Sequence, residues 1–305
     1  MTHGSVRRAN NERVYVAALI LLAVLLAWPV PRLLPRVTAL RAAPAAATLL
    51  WQCVSLAAIA AGLLAAPLAV LIQARATSGR HDPEPGQHLP LLVAGLAVTA
   101  FVAGRLLLKA HLVGTDLRRG RKEHTELVDL IGVDDAVLGE HVKVLTHPTP
   151  TAYCVPGSRK RVVLTKGTLD ALDADQVAAV LAHERAHLRQ RHDLVLEFFT
   201  VLHTAVPTWI RSTAGMGEVK LLIELLADRW AATVVGRRPL ATAMLALASG
   251  SHPTSALGAG DDAVIRIEVL AADGRHRLRV CLLAVLASVV VLQLPIALAV
   301  LTIVS

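Results

Sequence analysis

Residues 183–187 read His183-Glu184-Arg185-Ala186-His187. In a helix, residues four apart stack on one face, so both imidazoles can reach a single metal ion. Zinc suits that pair. It polarises a water, Glu184 beside it takes the proton, and the resulting hydroxide attacks a peptide carbonyl. The bland alternative is an exposed helix face carrying i,i+4 charges.

A catalytic zinc needs a third protein ligand and an open fourth position. The preferred third ligand is Glu224, in Glu224-Leu225-Leu226-Ala227-Asp228, where two carboxylates again lie four apart. Residues 221–227 around it are mostly apolar, and an acid there is costly unless paired or metal-bound. Asp228 can then orient a ligand histidine through its other ring nitrogen. Asp193, ten residues after His183, is the alternative ligand. The pattern that would use it places a helix-breaking glycine where this chain has Gln190, a helix former.

The surrounding elements favour a helix at the motif. Asp173 with Gln176 three residues on is a capping-box signature. Val177, Val180, Leu181 and Leu188 supply helical apolar spacing to about His192. Upstream, Thr151 to Val155 and Arg161 to Thr165 read as short strands around the turn Pro156-Gly157-Ser158.

The chain as a whole is that of a membrane protein. Of its 305 residues 54% are hydrophobic, 18% charged and 3% aromatic, a balance a soluble enzyme rarely reaches. Four aliphatic runs are near or above the ~20 residues that cross a bilayer: about 14–30, 45–72, 89–108 and 280–304. The first is read as a retained span, since no small-residue cleavage site closes it. Arg105 can snorkel from the end of the third. Residues 194–210 contain Glu197, His203 and Pro207 and are read as a buried or membrane-grazing helix. The expected domains are a membrane region over 1–113 with three spans, a soluble α+β domain over 114–276, and a last span within 277–305.

The net charge is +8, but the arginines cluster at span ends and no helix-turn-helix is evident, so no nucleic-acid partner is expected. Cys53, Cys154 and Cys281 form no CxxC pair and imply no disulfide framework. Arg32, Arg36, Arg41, Arg118, Arg119, Arg121, Lys122, Arg275, Arg277 and Arg279 flank one side. Arg7, Arg8, Arg13, Arg75 and Arg80 flank the other. Ten against five predicts a multi-pass cell-membrane protein with its soluble domain in the cytoplasm.

The ordered set Ala152 to Gly157, Arg161 to Thr165, His183 to His187 and Glu224 to Asp228 resembles the gluzincin membrane peptidases, which include HtpX and the CAAX-prenyl endopeptidases. The stretch Leu181 to His187 followed by Arg191-His192-Asp193, between a third and a fourth span, is most similar to the BlaR/MecR-type antirepressor peptidases. The resemblance implies an α+β zincin-like domain inserted among about four transmembrane helices. It implies one Zn2+ per chain on His183, His187 and Glu224, with Glu184 as base and Asp228 behind a ligand histidine. It also implies a protein or peptide substrate laid along Ala152, Tyr153 and Cys154 by strand addition, the ordinary alternative being a plain edge strand.

Arg266, in Val264-Ile-Arg-Ile-Glu268, resembles a late element of these families. His252 is either an oxyanion-assisting group or a loop histidine without a role. Sensor members carry a penicillin-binding domain after the last span. This sequence ends at Ser305, directly after its fourth apolar run, so sensing by acylation is not expected; a separate sensor protein and a constitutive protease are the two alternatives. The expected activity is that of a membrane zinc endopeptidase acting on a repressor. The alternatives are an HtpX-like quality-control protease and a non-catalytic membrane scaffold with a vestigial zinc site.

Overall fold

The aliphatic runs fold as long helices in the computed structural model, which describes residues 3–78, 89–250, 259–272 and 274–304. His252 and most of the polar loop from Ser78 to Gln87 lie outside the described residues. In chain order the elements are α1 (His3–Ala27), a single turn α2 (Val30–Leu33), α3 (Pro44–Ser78) and α4 (Leu89–Ile131). Strands β1 (Val133–Asp134), β2 (Val142–Leu145), β3 (Ala152–Val155) and β4 (Arg161–Thr165) follow. The chain continues through α5 (Lys166–Ala171), α6 (Ala174–Gln190), α7 (His192–Ala205), α8 (Thr213–Val235), α9 (Arg237–Gly250), α10 (Ala259–Ala271) and α11 (Arg277–Val304). Among the described residues, four segments are long and apolar enough to cross a membrane: Asn11–Arg36, Pro44–Arg75, Leu92–Ile131 and Arg277–Val304.

The third run does not stop where its apolar residues do. Gly114, the expected start of the soluble domain, lies inside α4, which carries on to Ile131. No proline interrupts residues 109–131, and the i,i+4 pairs Arg119–Glu123 and Lys122–Glu126 support the extension. One continuous helix thus joins the third apolar run to the sheet. Of the expected helix over residues 194–210, residues 194–205 lie in α7, which is ended by the extended Val206 before Pro207.

Helices α1, α3 and α11 pack through small and aliphatic residues, among them Leu19, Ala61, Ala65 and Ala299. Trp51 and Ala47 of α3 meet Val219, Leu222 and Ile223 of α8 and Phe199 of α7. Fully burying one such aliphatic side chain contributes about 1.5–3 kcal/mol, so this cluster ties the membrane helices firmly to the part of the chain that carries the site.

The sheet is small and mixed, in the order β1-β2-β4-β3. β2 runs parallel to β4, and β3 pairs antiparallel with β4 in the register Tyr153↔Val163. Its buried face, with Val142, Val162 and Leu164, packs on Val177, Val180 and Leu181 of α6. The α+β layer is therefore a four-stranded sheet in a mostly helical molecule, and β3 is one of its edges.

Candidate metal centre

Helix α6 begins as its sequence predicts. The Asp173 side chain accepts from Gln176 N–H at 2.9 Å, and Gln176 Oε1 accepts from Asp173 N–H at 3.0 Å. Capping fixes where the helix starts, and so the face on which His183 and His187 emerge. Ala179 and Ala182 of α6 are buried in one cluster with Ala231 of α8. Side chains this small let the two helix axes approach closely. His183 on α6 then meets Glu224 and Asp228 on α8.

The Nε2 atoms of His183 and His187 lie 3.1 Å apart. Glu224 faces both, with Oε2 3.3 Å from His183 Nε2 and Oε1 3.5 Å from His187 Nε2. Among the described residues, these three form a group whose ligand atoms all lie within 4.8 Å of one another. Two imidazole nitrogens and a carboxylate oxygen aimed at one point are a donor set that fits zinc.

Asp228 is 2% exposed at its side chain, and its Oδ1 lies 2.9 Å from His183 Nδ1, a short contact that is not aligned as a hydrogen bond. Arg266 holds the carboxylate in place, donating from Nε and NH2 at 2.7 Å each. Its NH1 is 3.1 Å from Glu224 Oε2. One guanidinium thus braces Glu224 and Asp228 of α8 from α10. A buried carboxylate left without such a partner would cost about 3–5 kcal/mol.

The other ligand histidine has a partner that sequence reading passes over. Arg191 closes α6 in the left-handed region, with φ 52°. The expected alternative ligand depended on a glycine to turn the chain after the motif. The chain does turn, one residue beyond Gln190, but it delivers His192 to the site. His192 is buried, with Nδ1 3.0 Å from His187 Nδ1, and its Nε2 lies 3.3 Å from Gln190 Oε1. Asp193 points elsewhere and pairs with Arg121 at 3.2 Å.

Tyr153 and Cys154 lie on β3 beside α6. The Cys154 thiol is pushed up by burial and by the adjacent Glu184 carboxylate, so it is a neutral neighbour of that acid. Thr165 N–H donates to Thr151 O at 3.0 Å. Antiparallel pairing alternates, so the main chains of Tyr153 and Val155 face β4, while those of Ala152 and Cys154 face the open edge. Tyr153 OH is 3.1 Å from His124 Nε2 of α4.

Protonation states follow from burial and from these neighbours. Burial disfavours the His183 charge, but Asp228 and Glu224 outweigh it and raise its pKa to about 9. Burial lowers His187 to about 4. Burial works to raise Glu224, yet His183 and Arg266 hold it at about 2. Burial, above any neighbour, raises Glu184 from its ordinary value, which moves it towards the range where a carboxylate is an effective base near neutral pH.

These values give a pH dependence. Without metal, His183 is protonated at pH 7, and a metal must expel that proton. His187 is already neutral and adds nothing. Zinc affinity is therefore expected to rise about tenfold per pH unit from pH 6 towards about 9, with one proton released per ion. Zinc titration against a chelator in buffers of different ionisation enthalpy measures both; a flat profile with no proton release would contradict the assignment.

Residues 119–257, a little under half of the chain, match the family model described as Peptidase family M48. That match supports a metallopeptidase domain. Searches among curated proteins and among solved structures gave no match. The matched stretch holds His183, Glu184, His187, Glu224 and Asp228, while Arg266 lies beyond it.

Proposed function

We propose that this chain is a multi-pass membrane zinc endopeptidase that hydrolyses peptide bonds in a protein substrate. The observation that carries the reading is the meeting of His183, His187 and Glu224 at one point, with Glu184 on the next position of α6. The match to a peptidase family supports it.

His183, His187 and Glu224 would hold one zinc ion, which supplies Lewis-acid polarisation of a water and of the scissile carbonyl. Glu184 takes the proton of the attacking water and hands it to the leaving amine. Asp228 orients His183 through Nδ1, and Arg266 keeps Asp228 ionised and in place. The open edge of β3 offers the main-chain groups of Ala152 and Cys154 to an extended peptide. Because Cys154 abuts Glu184, a peptide on that edge runs past the base.

Two substrate classes suit this chemistry. The resemblance to BlaR/MecR-type peptidases favours a cytoplasmic transcriptional repressor. An HtpX-like role would direct the same site at damaged membrane proteins. Reconstitution in liposomes with an unfolded protein and zinc tests the shared claim. Internal cleavages that a chelator abolishes and zinc restores are expected; trimming from the ends only, or cleavage indifferent to zinc, would overturn it.

The active site is proposed to face the cytoplasm, from the ten-to-five excess of flanking basic residues. An epitope inserted after Ser158, in the exposed turn between β3 and β4, is expected to resist added protease in intact spheroplasts and to be lost once they are permeabilised. Digestion in intact spheroplasts would reverse the orientation.

A further inference from the structure

A cavity of about 610 Å³ lies between α1, α3, α4, α7 and α8, on the membrane side of the metal centre. Its walls are apolar along most of its length. On α3 it extends from Trp51 to Gly62, eleven residues or about 16 Å at 1.5 Å per residue. At the far end Gly62 borders open space: a Cβ built there meets no atom within 4 Å. Phe101 of α4 lines the same end and is itself exposed on the outer face of the helix bundle.

The end beside the turn from α7 to α8 is basic. Arg105 and Arg211 line it, and Arg32 bonds the carbonyls of Trp209 and Arg211 beside it at 3.0 and 3.1 Å. Arg105 Nε donates to Ala205 O at 2.6 Å, and Arg211 donates to Val206 O and Thr204 O. Every one of these partners is a neutral backbone carbonyl. Among the described residues no carboxylate pairs with Arg32, Arg105 or Arg211. Capping the end of α7 accounts for one or two donors of Arg105 and of Arg211, and Arg32 donates to the carbonyls of Trp28, Trp209 and Arg211. These bonds leave three positive charges uncompensated at the mouth of an apolar slot.

The two ends are also ordered along the bilayer. Gly62 is near the middle of the segment Pro44–Arg75. Arg32 lies four residues before the end of the first segment, Asn11–Arg36, and Arg105 follows Phe101 by one turn towards the sheet. The apolar end therefore sits at hydrocarbon depth, and the arginines lie on its side towards the sheet. Basic pockets between membrane helices take lipid phosphates, and arginine matches phosphate through its forked donors.

We propose that this cavity binds one anionic phospholipid, with an acyl chain in the slot from Trp51 to Gly62 and its phosphate on Arg105 and Arg211. The site is independent of the proteolytic reading. It would couple α7 and α8, which carry His192 and Glu224, to the anionic lipid content of the membrane.

Native mass spectrometry of the full chain in detergent, titrated with phosphatidylglycerol, phosphatidylcholine or inorganic phosphate, tests the proposal. One phosphatidylglycerol is expected to remain bound, phosphatidylcholine to bind at least about tenfold more weakly, and inorganic phosphate to give no adduct. Gly62→Leu, which fills the slot, should lose the lipid. Arg105→Gln with Arg211→Gln should weaken it about tenfold or more. Circular dichroism and zinc content of both variants report whether they fold, and each variant tests the site without the other. Equal retention of phosphatidylglycerol by folded wild type and variants, equal affinity for both lipids, or a co-purifying apolar polypeptide in place of lipid would overturn the proposal.

Discussion

Glu184→Gln is expected to abolish proteolysis while the protein keeps its fold and its metal. Glu and Gln are nearly isosteric, and Glu184 is not one of the three groups whose atoms converge. What the substitution removes is the carboxylate that accepts a proton from water and delivers it to the leaving amine. General acid–base groups contribute ~100- to 10,000-fold in rate, so turnover should fall below detection for a slow membrane protease. The environment makes the loss specific. Burial raises Glu184 towards a working base, and a neutral amide beside Cys154 cannot take a proton at any pH. Co-expression of wild type and variant with candidate substrates, followed by comparison of membrane and cytosolic fragments, measures the effect. Identical fragments and phenotype from zinc-loaded wild type and variant would favour the scaffold reading.

Glu224→Ala should lose stoichiometric zinc, whereas Asp193→Ala should keep it. Glu224 is the only carboxylate among the described residues that reaches both imidazoles. Groups one layer behind a metal typically cost 10- to 100-fold in affinity when removed, which is the loss expected for Asp228→Asn. A direct ligand should cost more. Asp193 is engaged with Arg121 at the rim, and a part-exposed pair of that kind is worth about 0–1 kcal/mol. Metal analysis of the purified variants decides between them. Zinc retained in Glu224→Ala and lost in Asp193→Ala would move the third ligand to the segment after α6.

What could be read from the sequence was what depends on near neighbours along the chain. The capping box at Asp173, the four-residue spacing of His183 and His187, and that of Glu224 and Asp228 are all local. The hairpin of β3 and β4 has a visible turn, but the edge position of β3 was implied only by the resemblance, since it depends on β2 pairing with β4. The groups that complete the site depend on distant partners. Arg266 could be singled out only by resemblance, because 38 residues separate it from the carboxylate it holds. His192 was quoted within a motif without a role, since the turn that seats it on His187 uses a left-handed arginine where a glycine would have been the signal. The apolar pattern marked where the third run ends but not that its helix goes on, because helix continuation after Leu108 rests on propensity and ion pairs. The parallel pairing of β2 with β4 left no trace in strands of four and five residues.

The most direct test of the central claim is X-ray absorption at the zinc edge of the loaded wild-type protein in membranes. The account predicts two imidazole nitrogens and carboxylate oxygen, with ligand distances near 2.0–2.1 Å and a remaining position filled by a light atom from solvent. The neighbours make the alternatives distinct. Scattering from sulfur at ~2.3 Å would mean that Cys154 has joined the ion, and a third imidazole would mean that His192 has. Either result would contradict the assignment of His183, His187 and Glu224 as the ligand set of a zinc with one open position.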